Sequence, residues 1–133
     1  MTETTLDQHM AAMGRVVAKF VSGGLMAHNV DSRGVEKFLG TPEDKKVFEA
    51  VIVWMLDEGI IRAKNVSTIM DGTIHLAAAQ LTAKGLAIVK QPLTGGDTIE
   101  KRIQSDAGGR SWSSIGDLIG GIAAGFTKSM GSG

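Results

Sequence analysis

The stretch from Thr41 to Gly85, TPEDKKVFEAVIVWMLDEGIIRAKNVSTIMDGTIHLAAAQLTAKG, constrains the fold most, because its apolar residues change period between well-marked stops. Thr41 is a capping residue, Pro42 suits the first helical position, and Glu43 and Asp44 complement the positive end of a helix dipole. Val47, Phe48, Val51, Ile52, Met55 and Leu56 then recur at helical spacing, with Ala50 and Trp54 widening the face, until Gly59 offers a left-handed stop. The spacing predicts a core helix over 42–58. After Gly59 the residues become β-type, and Asp71-Gly72 favours the positive φ of a tight turn. Thr73-Ile74-His75-Leu76 then alternates as a returning strand should, which predicts a hairpin of roughly 60–70 and 73–79.

Upstream, Leu6, Met10, Met13, Val17 and Phe20 form one stripe of a helix that starts near Thr5, where Thr5 and Gln8 have capping-box spacing, and stops at Ser22-Gly23-Gly24. The methionines in it read as gap-filling core residues. Gly23 to Asp31 reads as a connector whose Leu25, Met26 and Val30 tuck under the domain. A short helix follows, capped by Asp31 or Ser32, buried through Val35, Phe38 and Leu39, and ended by Gly40. Beyond the hairpin, Thr82 caps another short helix that turns Leu86 and Val89 inward before Pro92. The expected fold class is α+β and mostly helical, with a two-stranded hairpin.

Trp54-Met55-Leu56-Asp57-Glu58-Gly59-Ile60-Ile61, then a hairpin, then Leu81-Thr82-x-x-Gly85, resembles the L-x-x-x-G-[IL]-[IV] … LT-x-x-G pattern of winged-helix regulators of the MarR and PadR type. The span 5–91 also resembles small bacterial and prophage-encoded winged-helix proteins. The resemblance implies a winged helix-turn-helix domain over 1–91, with the helix at 42–58 in a DNA major groove and the hairpin touching phosphates. The chain departs from that pattern in its charges. The polar residues of this helix are Glu43, Asp44, Lys45, Lys46, Glu49, Asp57 and Glu58, with no Arg, Asn or Gln for two-pronged base contacts. Only Lys45 and Lys46 on the helix, and Arg62 and Lys64 at the hairpin root, could meet DNA, and so few phosphate contacts give weak, salt-sensitive binding.

Bulk charge adds nothing to that, since 14 basic side chains balance 14 acidic ones. The chain has no cysteine, which excludes disulfides and thiolate metal sites and fits a reducing compartment. Its first residues lack the basic start and apolar run of a secretion signal, so the expected location is cytoplasmic. His9, His28 and His75 stand apart without metal-ligand spacing, and the Gly-Gly pairs lack the Lys-Ser/Thr of a phosphate loop. No nucleophile is paired with a base by recognisable spacing. The expectation is a non-enzymatic protein without cofactor or metal.

Residues 92–110 read as a Pro/Gly linker holding a short helix over 98–105 through Ile99 and Ile103, broken at Asp106–Arg110. Residues 111–133 then read as a glycine-rich amphipathic helix and a loose end, with Ser111 as cap. Ile115, Leu118, Ile119, Ile122 and Phe126 mark one face, and Gly116/Gly120 and Gly121/Gly125 make two four-residue steps that let another helix come close. Each helical glycine costs about 1 kcal/mol relative to alanine, so this helix needs a surface to pack on, in its own chain, in a second copy or on a bilayer. Its apolar run falls far short of the roughly 20 residues needed to span a bilayer. Two functions follow as expectations: an interaction module that self-associates through this helix, with a protein partner or a second copy, or a DNA-binding transcriptional regulator of winged-helix type.

Overall fold

The computed structural model describes residues 5–93, 95–105 and 112–131, in backbone and, apart from Ser105 and 126–131, in side chain. The expected break at Asp106–Arg110, the Ser111 cap and the placement of the Phe126 side chain lie outside the described residues. The fold is α+β and mostly helical. Its elements run α1 (Thr5–Ser22), β1 (His28–Asp31), a 3-10 turn (Ser32–Gly34), α2 (Val35–Leu39), α3 (Lys45–Asp57), β2 (Ile61–Arg62), β3 (Asn65–Thr68), β4 (Ile74–Leu81), α4 (Ala83–Lys90), α5 (Ile99–Ser105) and α6 (Trp112–Gly131).

The chain doubles back between β3 and β4, as the Asp-Gly signal requires. Asn65 pairs with Ala77 and Thr68 with Ile74, and β2 continues the same register with Ile61 opposite Leu81. The connection differs from a two-residue turn. Ile69 N–H donates to Thr73 O at 3.0 Å and Gly72 N–H to Ile69 O at 2.9 Å, so Met70-Asp71-Gly72 form a three-residue loop with Gly72 at φ 89°. Asp71 Oδ1 stabilises it by accepting from Thr73 N–H at 2.9 Å.

Most of the stretch expected as a connector is a turn, but its last four residues are β1, which pairs antiparallel with the other edge of β4. Val30 is buried as expected, whereas Leu25 and Met26 are exposed. Four residues with one inward valine carry too little alternation to announce a strand, and only β4 supplies the partner that defines it. Pairing to two neighbours also strains β4. Between His28↔Ala79 and Val30↔Leu76 an extra residue bulges out, and Ala78 takes φ 56°, the one non-glycine residue with positive φ among those described. The bulge resets the alternation, so that Ile74 and Leu76 on one side of it and Ala79 and Leu81 on the other all point inward.

Helix α3 begins at Lys45, three residues later than expected. Asp44, with extended backbone, accepts from Val47 N–H at 3.0 Å, a carboxylate on the positive end of the dipole, while Glu43 is drawn out to Arg15 on α1 at 2.8 Å. The other stops fall where the residues place them: Gly40 and Gly59 adopt φ 83° and 74°, and Thr82 caps α4 by accepting from Gly85 N–H at 2.9 Å.

The two halves of the Gly-Ile-Ile … Leu-Thr-x-x-Gly pattern touch. Thr82 N–H donates to Ile60 O at 3.0 Å, the Thr82 hydroxyl donates to Gly59 O, and a β-carbon at Gly85 would collide with Ile60 O. Lys84 Nζ donates to Glu58 O at 2.7 Å, tying α4 to the end of α3.

One buried cluster joins Phe20, Phe48, Ile52, Met55, Ile61, Leu76 and Ile88 with Ile99 and Ile103 of α5 and Ile115, Ile119 and Ala123 of α6. Fully burying a side chain such as Phe20 or Phe48 stabilises by about 1.5–3 kcal/mol. The segment read as linker thus contributes two core isoleucines, and its helix is capped by Thr98, whose hydroxyl accepts from Lys101 N–H at 3.1 Å.

Candidate protein interface

Phe48, Val51, Ile52 and Met55 anchor α3 in the core. Turning the helix through half a revolution brings up Lys46, Ala50, Val53, Trp54 and Asp57, all exposed. Ala50 and Trp54 therefore do not widen the buried face as expected. They belong to the opposite one, where Val53 retains 44% and Trp54 36% of its accessible surface. Helical spacing alone missed Val53. Its signal was an apolar residue out of step with the 48/51/52/55 row, on a side that charge should dominate.

At one flank of this surface the hairpin loop lies over α3, with Gly72 close to the Glu49 carboxylate. Glu49 Oε2 accepts from Ser32 Oγ at 2.6 Å and pairs with Lys45 Nζ at 2.8 Å, and Ser32 Oγ accepts from Ile74 N–H at 3.0 Å. Three elements are pinned at one buried hydroxyl. Next to it, hydrogen bonds from Arg33 hold the Asp31 carboxyl down at about 2, with His75 Nδ1 at 3.5 Å from the same group. Asp71 is lowered by its bonds from Thr73, and Arg33 is raised by Asp31. The cluster is an ionic clasp, with each charge facing an opposite one.

This geometry bears directly on the four cations named as DNA candidates. Lys45 is paired with Glu49 and half-buried, and Lys46 is exposed beside it. Arg62 and Lys64 are exposed too, but Arg62 donates to Gln80 Oε1 at 3.2 Å, at the far end of the hairpin from its loop. Arg62 and Thr68 are six positions apart along the hairpin, about 20 Å at 3.3 Å per residue. Lys45 lies at the loop and Arg62 at the root, so the four do not make one patch. The loop and the residue before it carry a fully exposed Met70 and Ile69 at 45% exposure rather than a base.

Helix α6 lies along α1 of the same chain. Ile115, Ile119 and Ala123 are buried, Leu118 and Ile122 half-buried, and a β-carbon at Gly116 would collide with the Met10 backbone. Gly14 on α1 makes the reciprocal approach to Trp112. By contrast Gly120, Gly121 and Gly125 meet nothing within contact distance. Only the first glycine of the two steps is used for close packing.

His9 and His75 lie on α1 and β4, and His28 sits among aromatic rings. Among the described residues no three His, Cys, Asp or Glu side chains gather as metal ligands, and no helix is long and apolar enough to cross a membrane. No protein-family model, curated protein or solved structure matches the chain.

Proposed function

We propose that the chain is a non-enzymatic winged-helix interaction module that contacts another protein through the outward side of α3. The winged-helix reading is supported by the order helix, strand, short helix, helix, hairpin, and by the contact of Thr82 and Gly85 with Gly59-Ile60. The observation that carries the interaction reading is the exposed row Ala50, Val53, Trp54 on the helix that would enter a major groove in a DNA-binding relative of this fold. Valine offers nothing to phosphate, and tryptophan only one uncharged N–H. Aromatic residues are characteristic of protein interfaces. Self-association through α6 would have to use the side bearing Gly120, Gly121 and Gly125, since Ile115, Gly116 and Ile119 meet α1.

A regulator reading requires cations on this surface, and Lys46 is the one exposed base of α3. A gel-shift assay on random-sequence duplex at low and moderate salt separates the two. The module shows no retarded band at moderate salt. Binding that persists there and is lost in Lys45→Glu/Lys46→Glu overturns the proposal in favour of DNA recognition.

A further inference from the structure

The outward residues of α3 follow a symmetric order. Lys46, Ala50, Val53 and Asp57 are spaced four, three and four apart, which puts them on one narrow stripe along the helix. Lys46 and Asp57 share their midpoint with Ala50 and Val53, between Val51 and Ile52. A helix turned end over end about that point presents the same stripe with its charges exchanged. Lys46 and Asp57 are exposed, and among the described residues neither has an ion-pair partner, although Arg15, Lys45 and Lys90 each have one.

Resting on the reading of α3 as an interaction surface, we infer that its partner there is a second copy of this chain, packed antiparallel across a two-fold axis. The contact is isologous. Lys46 of each copy meets Asp57 of the other, at two places about 16 Å apart along the helix, and Ala50 meets Val53 in the two layers between. Trp54 lies to one side of the stripe, where it falls beside Ala50 of the second copy. The small residue leaves room for the large one, as close helix packing at 8–10 Å requires. Charge complementarity selects this occupant. An unrelated acidic or basic partner would match one end of the stripe and oppose the other, whereas an inverted copy matches both. One helix pair is a small interface, so the dimer is in concentration-dependent exchange with monomer.

The same symmetry supplies its test in the full chain, by sedimentation equilibrium from about 1 μM to about 1 mM. Lys46→Glu places acid against Asp57 twice, and Asp57→Lys places base against Lys46 twice. Each alone weakens self-association by about 10-fold or more. Mixing the two singly substituted proteins restores opposite charges at both positions, so they associate with each other and not with themselves. Val53→Glu is monomeric throughout, and circular dichroism confirms that each variant is folded. A wild-type protein that stays monomeric across the range overturns the inference, while leaving the interaction-module reading to a different protein. A dimer indifferent to both charge reversals, but lost in Ala124→Glu on the exposed side of α6, overturns it as well and moves the contact to the C-terminal helix.

Discussion

His28 stands between Phe20 and Phe38, its ring 5.4 and 6.0 Å from theirs and close to perpendicular to both, while Phe38 continues the row to Phe48 at 6.0 Å. Its Nε2 is buried without a hydrogen-bond partner, and Lys19 lies over the Phe38 ring. Burial, then the positive charge of Lys19, lower its pKa below the ordinary 6.5. The unfolded chain therefore binds a proton that the folded chain refuses. The contribution is fully present above pH 6.5 and is lost as pH falls through the lowered value. The urea midpoint should drop between about pH 7 and about pH 5 in the native protein and drop less in His28→Phe, which keeps the ring in the aromatic row. Equal slopes in the two proteins would exclude His28 as the group responsible. Sequence placed this histidine in a connector. Its role was not legible there, because the rings that flank it come from α1 and α2, and spacing along the chain says nothing about their convergence.

At the scale of elements, most stops were legible and most partners were not. Gly40, Gly59, Thr82 and Asp71-Gly72 act locally, through one side-chain oxygen or one positive φ, so they can be read where they stand, whereas the cap of α3 is Asp44 and not the expected Thr41. Strand β1 and the bulge at Ala78 arise from pairing with distant residues, and no local signal marks either. The C-terminal helix shows the same division. Its glycines announced close packing, but which of them packs depends on α1. A paired substitution resolves this. Gly116→Ala pushes a methyl group into the Met10 backbone and should cost about 1–3 kcal/mol. Gly121→Ala faces open space on the helix surface and should stabilise by about 1 kcal/mol. Urea unfolding of both variants checks the pair. Equal effects of one sign would contradict the placement of α6 on α1.

For the whole molecule, the mostly helical α+β class and the returning hairpin followed from period and punctuation, while the continuity of the core did not. Ile99 and Ile103, read as part of a linker, and Ile115 and Ile119, read as a face seeking a partner, join the cluster built by α1, α3 and β4. Apolar spacing reports that a face must be covered and not what covers it. The reverse failure produced the candidate interface. Being apolar, Ala50 and Trp54 read as inward residues, and only the placement of α3 reveals that they, with Val53, are left outside. The ionic clasp at Asp31, Ser32, Glu49 and Asp71 fixes the hairpin loop against α3, so this surface is held on a rigid support. Whether it is the contact surface can be read directly from amide chemical shifts of labelled full-length protein followed over increasing concentration. Lys46, Ala50, Val53, Trp54 and Asp57 are expected to shift together while β1 and the exposed side of α6 stay still. Shifts confined to Gly120, Gly121 and Gly125, with α3 unmoved, would contradict it.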